Sequence, residues 1–212
     1  STNAIIHLLA MAKTANINLI LDDFTKYNNL PVLLNMKPHG KYMMYHLHKI
    51  GGSTLLFKYL IEQNIINGNI MTITGKTLQE NIIDFNINTY NPDNNIIYSL
   101  NKPLKETSHI KILKGNLAPD GCILKINTNK KYITGLAKVY NNENDMINSL
   151  KKGLIKLTDF IIIRYKGETI GSPEMLFATS ALIGYFGKDN LPPLATDGRF
   201  SGGSTGIIIC HL

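Results

Sequence analysis

Two cysteines, two arginines and the want of any long apolar run are the scarcities that first narrow this 212-residue chain. Cys122 and Cys210 stand alone and far apart, so neither has the paired spacing of a metal site. Two thiols do not make a secreted disulfide framework either, and both are expected to be buried, free and in a reducing compartment. No apolar run approaches bilayer length and nothing resembles a signal peptide, which sets a membrane partner aside and predicts a soluble chain. The formal net charge is +7, but scattered lysines such as Lys41, Lys58, Lys111 and Lys151 carry it, with Arg164 and Arg199 the only arginines. Specific nucleic-acid readers use arginine forks and clustered basic faces, so nucleic acid is set aside as well. Lys, Asn and Ile share A/T-rich codons, and "NIIDFNINTYNPDNNII" (Asn81 to Ile97) points to genome composition as the source of the basicity.

Familiar catalytic signatures are also missing. "TGKT" (Thr74 to Thr77) has Ile70 where a phosphate loop needs its first glycine, so it predicts a strand-to-helix turn capped by Thr74. His46 and His48, two apart on a predicted helix, face different ways and cannot share a metal. His7 reads as a structural histidine near an apolar face, and His39 lies in a turn. An initiator methionine is absent. The chain opens in a helix-like stretch and stops in an apparent strand, so a piece of a longer protein is expected.

What is present suits a sizeable core, with 44% apolar residues. Apolar spacing predicts a helix from Ser1 to about Asn18, with Ile5, Leu8, Leu9 and Ala12 on its buried face. "LDDFTKYNN" predicts a short helix and "PVLLNM" a strand. Two helices follow around Gly51 and Gly52, the second capped by Ser53, then a strand at "NIMTITG" and a helix at "KTLQENIIDF". Helices alternating with short strands predict an α/β layer over residues 1–85. Residues 86–107, rich in Asn with Pro92 and Pro103, read as a linker. Beyond it, "HIKILKGN", "GCILKINTN", "GLAKVYN", "DFIIIRYKG" and "GIIICHL" predict strands, interrupted by the helix "NENDMINSLKKG" that closes at Gly153. That texture predicts a β-barrel-like domain over residues 108–212.

Two motifs could carry chemistry. In "GSPEML", Ser172 suits a cap, Pro173 the first helical position and Glu174 the first turn, where free N–H groups favour a carboxylate. Glu174 then reads either as an ordinary helix-start acid or as a hard-cation ligand. "TDGRFSGGSTG" holds Ser201 beside Gly202 and Gly203, whose bare amides can face one point, with Arg199 able to fork a carboxylate. Arg199 stands where a Gly-x-Ser-x-Gly elbow needs its first glycine, so this is no serine-hydrolase nucleophile. A glycine-rich turn between strands and an anion-friendly site both fit.

In order along the chain, "STNAIIHLLAMA", "KPHGKYMMYHLHKIGG", "TITGKTLQEN", "ILKGNLAPDGCILK", "IIRYKG", "PEML" and "TDGRFSGGSTG" resemble the dihydroxy-acid dehydratases of branched-chain amino-acid synthesis. The superfamily also holds 6-phosphogluconate and sugar-acid dehydratases. The likeness spans the chain, with "KGETIGSPEM" shortened and "DNLPPLA" lengthened relative to the family pattern. It implies an α/β cluster-binding domain followed by a swivelling barrel-like domain. The implied reaction is loss of water from 2,3-dihydroxy-3-methyl carboxylic acids to give 2-oxo acids. The implied cofactors are an iron–sulfur cluster (2Fe–2S or 4Fe–4S), with ligands expected upstream of Ser1, and Mg²⁺. Ser201 would take the proton from C2, Glu174 would hold Mg²⁺, and Arg199, Gly202 and Gly203 would contact substrate or support the site. No cluster role falls on Cys122 or Cys210. A homodimer is implied, cytoplasmic in a bacterium or in a plastid or mitochondrion otherwise, and the isolated piece is expected to be inactive. A sugar-acid dehydratase and a noncatalytic carboxylate-binding module are the competing expectations.

Overall fold

The computed structural model describes residues 2–84, 95–126, 132–167 and 175–212. Two compact units emerge, one from residues 1–30 with 107–212 and one from residues 31–106.

The larger unit is built on a six-stranded mixed sheet in the order β1-β2-β6-β5-β4-β3. Its strands are β1 (Ile110–Gly115), β2 (Ala118–Lys125), β3 (Leu136–Tyr140), β4 (Asp159–Ile163), β5 (Leu194–Thr196) and β6 (Ile208–Cys210). β1–β2 and β2–β6 pair antiparallel, whereas β3, β4, β5 and β6 run parallel. A barrel requires the edge strands β1 and β3 to pair. Among the described residues they do not, so this half is a mixed sheet with helices in which the closure of a barrel is not seen.

Alternation along the strands explains which face is buried. Asp159, Ile161 and Ile163 of β4 point inward and their neighbours are half-buried, the period of a pleated strand. Ile123, Ile161, Ile163, Leu194, Ile208 and Cys210 then share one core with Ile5 of α1 (Thr2–Thr14), Met146 and Leu150 of α5 (Glu143–Lys151), and Ala178 and Leu182 of α6 (Leu176–Phe186). On the opposite sheet face Leu124, Ile126 and Ile207 form a smaller cluster. α5 carries its own start and stop signals: Asn142 accepts from the Asp145 N–H at 2.8 Å, and Gly153 turns the chain away with φ +69°. Gly121 is required twice over. Its φ is +106°, and a Cβ there would meet Leu21 Cδ2 at 2.7 Å.

The helix expected at the start is present, but Leu8 is 46% exposed and His7 is exposed too, so the buried stripe is Ile5 and Ala12 with Thr2. "LDDFTKY" is a 3-10 helix, Leu21–Tyr27. β5 was not anticipated; three residues are too few to show a period. α6 starts at Leu176, after Met175 at the N-cap, later than the Ser172–Pro173 start expected. Ser172, Pro173 and Glu174 lie outside the described residues.

The smaller unit has the helices expected of it, but neither of the two expected strands. α2 (Met44–Lys49) and α3 (Gly52–Glu62) bring Leu47 and Leu55 into a cluster with Ile96 and Ile97, and α4 (Leu78–Ile82) packs beside α3. "PVLLNM" makes only isolated bridges, Val32 with Lys105, Leu34 with Ile97 and Met36 with Tyr42. "NIMTITG" is a turn closed by a Met71–Thr77 bridge, not a strand. The α4 cap is Thr77, not Thr74. Its Oγ1 accepts from the Glu80 N–H at 3.2 Å while Glu80 accepts from the Thr77 N–H at 2.7 Å, a reciprocal capping box. Likewise α3 is capped by Gly51 rather than Ser53. His46 and His48 are exposed on either side of buried Leu47, and His46 Nδ1 accepts from the Met43 N–H.

Candidate functional site

The candidate site is built on the connection from β5 to β6. These strands are parallel neighbours, yet residues 197–207 join them with no helix. Its start is zipped to the chain beyond β6, where the His211 N–H donates to Gly198 O at 3.1 Å and the Leu212 N–H to Thr196 O at 3.4 Å, and its end is held by the Leu194 N–H donating to Ile207 O at 3.0 Å. Thr196 is fully buried and its Oγ1 accepts from the Gly198 N–H. The Asp197 carboxylate accepts from the N–H groups of Lys166 and Gly167, at 2.9 and 3.1 Å, tying the strand end to the segment after β4.

Phe200 is the anchor. At 1% exposure it sits in the main core with Met175 and Ala178. Large buried aromatics hold their backbone firmly, so Phe200 sets the direction of the half-buried residue after it, Ser201. From there the chain makes a turn: the Ser204 N–H donates to Ser201 O at 3.1 Å, and the Gly203 N–H approaches Ser201 Oγ at 3.3 Å. A Cβ at Gly202 would find nothing within 4 Å, and one at Gly203 only Ser201 Oγ at 3.8 Å. Neither glycine has a positive φ. Among the described residues no packing or backbone demand calls for glycine at these two positions, and none stands in the way of a close approach to their main chain.

Lys125, at the end of β2, was not anticipated as a site residue. It is buried, and its ammonium donates to Gly202 O at 2.7 Å and Ser204 O at 2.8 Å. Burial pulls its pKa below the ordinary lysine value, opposed by its proximity to Cys210. The strand period carried a trace of this placement, since Lys125 shares a face with Ile123.

Glu174 lies outside the described residues, so its carboxylate has no placement here. Its chain neighbour Met175 is buried and donates its N–H to Arg199 O at 3.1 Å, two residues before Ser201. The Arg199 residue is half-buried. Among the described residues Glu143 serves the first turn of α6: buried on α5, it accepts from the Ala178 N–H at 2.6 Å. Asp197 and Glu143 escaped sequence reasoning because their partners are main-chain amides far along the chain.

The thiols are free and buried, as expected. Burial raises both, Cys210 to about 12, and Cys210 Sγ donates to Ile123 O. Among the described residues no group of three His, Cys, Asp or Glu side chains is placed to hold a metal ion. No helix among them is long and apolar enough to cross a membrane.

Two family models match. Residues 1–81 fit the dihydroxy-acid/6-phosphogluconate dehydratase N-terminal model, and residues 95–212 fit the corresponding C-terminal model. Among curated proteins, the chain is 45% identical over 216 residues to a dihydroxy-acid dehydratase of Flavobacterium psychrophilum, covering 100% of this chain and 38% of the relative. It is 44% identical over 217 residues to that of Francisella tularensis subsp. novicida, with the same coverage of 100% and 38%. Against the dihydroxy-acid dehydratase of Sulfurisphaera tokodaii it is 40% identical over 217 residues, again covering 100% and 38%. The chain thus spans 38% of the length of these relatives. Matched end to end by both halves of one family's signature, it belongs to the dihydroxy-acid/6-phosphogluconate dehydratase family.

Proposed function

We propose that the complete polypeptide carrying this chain is a hydro-lyase that converts 2,3-dihydroxy-3-methyl carboxylic acids to 2-oxo acids in valine and isoleucine synthesis. The observation that carries this reading is the whole-chain identity to proteins named dihydroxy-acid dehydratase. It favours the branched dihydroxy acid over a sugar acid, and an enzyme over a noncatalytic carboxylate-binding module.

In this reading Ser201 Oγ takes the proton from C2 of the substrate as the hydroxyl at C3 departs. The resulting enol gains a proton at C3 and becomes the 2-oxo acid, so one water is lost overall. A serine hydroxyl is a weak acid, and its alkoxide needs help. The Gly203 N–H near Oγ, the Phe200 anchor and the open main chain at Gly202 support that role. Glu174 is proposed as one Mg²⁺ ligand, with Arg199, Gly202 and Gly203 near the substrate. The Met175–Arg199 hydrogen bond supports a shared locality for Glu174 and Ser201. When bound, Mg²⁺ supplies charge for the substrate carboxylate and 2-hydroxyl, and an iron–sulfur cluster held by residues outside this chain supplies Lewis acidity at the 3-hydroxyl.

The division into residues 1–85 of an α/β cluster-binding domain, a linker at 86–107 and a swivelling barrel-like domain at 108–212 belongs to the same proposal. So do a homodimer, cytoplasmic in a bacterium or organellar otherwise, and the inactivity of this chain alone. The deciding assay follows 2-oxo acid formation by the complete, cofactor-loaded polypeptide with 2,3-dihydroxy-3-methylbutanoate and with a pentonate side by side. The branched acid is the expected substrate, and Ser201→Ala should slow turnover about 10²- to 10⁴-fold. Turnover of the pentonate alone, or an unimpaired Ser201→Ala enzyme, would defeat the proposal.

A further inference from the structure

A buried lysine that donates to two main-chain carbonyls needs a reason to be there. Ammonium groups are costly to bury, and Lys125 spends its hydrogen bonds on the turn that follows Ser201. A trans peptide group is planar and holds its C=O and N–H antiparallel. The carbonyl of Gly202 and the N–H of Gly203 belong to one such group. Lys125 Nζ lies 2.7 Å from its oxygen end, and Ser201 Oγ lies 3.3 Å from its nitrogen end. A single peptide group therefore joins the ammonium to the serine oxygen.

We propose that Lys125 is a positioning residue for Ser201, orienting and polarising the Gly202–Gly203 peptide so that its N–H favours negative charge on Oγ. The inference rests on the reading of Ser201 as the proton acceptor. Hydrogen bonds in series polarise one another. A donor fixed in advance toward a developing oxyanion costs no reorganisation when the charge forms. The second bond, from Lys125 to Ser204 O, holds the far side of the same turn, and a flip of the Gly202–Gly203 peptide would lose the bonds at both of its ends, to Lys125 and to Ser201 Oγ. The neighbouring groups leave this arrangement intact. Cys210 is held as a neutral thiol by burial, and the Asp197 carboxylate is engaged by Lys166 and Gly167.

The test uses the complete, cofactor-loaded polypeptide and compares Lys125→Met and Lys125→Arg with the parent. Lys125→Met should lower kcat about 10- to 100-fold with KM unchanged, less than the loss of a direct oxyanion donor. Amide exchange across residues 202–204 should quicken about tenfold, as local opening becomes easier. Lys125→Arg should recover part of kcat and of the protection. An unchanged kcat in Lys125→Met overturns the proposal. So does a fall in kcat accompanied by loss of protection across the whole sheet, which would mark a merely structural lysine. If the parent dehydrates neither acid, the function proposed above fails. The exchange comparison then still decides whether Lys125 holds the turn, and unchanged exchange at 202–204 sinks that as well.

Discussion

Replacing Glu143 by alanine should loosen the start of α6 specifically. The Glu143 carboxylate accepts from the Ala178 N–H at 2.6 Å, and Ala178 is fully buried. Truncation leaves that N–H with neither its partner nor easy access to water. An unsatisfied buried donor costs about 1–3 kcal/mol. Taking about 2 kcal/mol, and about 1.4 kcal/mol per factor of ten, amides in the first turns of α6 should exchange about 30-fold faster. Glu143→Gln keeps an acceptor of the same reach and forfeits only the charge at a helix N-terminus, about 0.3–1 kcal/mol, or at most about fivefold in exchange. Hydrogen exchange with peptide resolution, on the complete polypeptide, separates the two variants. Equal protection in Glu143→Ala and the parent, or a glutamine as damaging as the alanine, would refute the assignment of Glu143 as the α6 cap.

Burial holds the Cys210 thiol near 12, above its ordinary 9.0, so the folded chain keeps this proton longer than the unfolded chain does. Stability is then full below the unfolded value and falls as pH rises from about 9 towards 12, by up to about 1.4 kcal/mol per pH unit from this group. Urea unfolding from pH 8 to 10 should show a shallower decline for Cys210→Ala than for the parent, and identical slopes would contradict it. Phe200→Ala should cost about 3–5 kcal/mol in the same unfolding experiment, and a midpoint near the parent's would remove Phe200 as the anchor. Two Thr77 bonds hold the Glu80 carboxyl below 4.5, chiefly that of the backbone N–H and then that of the hydroxyl, and Thr77→Ala removes the hydroxyl alone. An NMR titration should find Glu80 moving up towards that value, and an unmoved Glu80 would count against the capping box.

Much of the larger unit was legible in the chain. β1, β2, β3, β4 and β6 each announce themselves by β-branched residues between turn residues, and α5 by Asn142 and Gly153. β5 escaped because Leu194, Ala195 and Thr196 are all buried, which erases the alternation that marks a strand. "NIMTITG" misled in the opposite way. Its β-branched composition suggests a strand, yet Met71 is 69% exposed and the segment turns back on itself. Composition reports what a residue can do in a sheet, not whether a neighbour is there to pair with it. At the site, Ser201 and the glycines stood out as residue types. Lys125, Asp197 and Glu143 did not, because each acts on backbone groups brought near only by the fold, and a main-chain partner leaves no mark in sequence.

The route from β5 to β6 has a fixed contour. Parallel neighbours ordinarily need a crossing of a dozen or more residues, usually with a helix to take up slack. Residues 197–207 make the return without one, fastened at both ends by the Leu194–Ile208 and Ala195–Ile209 registers. Such a strap tolerates exchange of side chains better than change of length. One residue added or deleted would have to be absorbed between Phe200, sunk in the core, and the strand ends, dragging Ser201 off its bearing. Engineers wishing to retune this region should swap letters and leave the count alone.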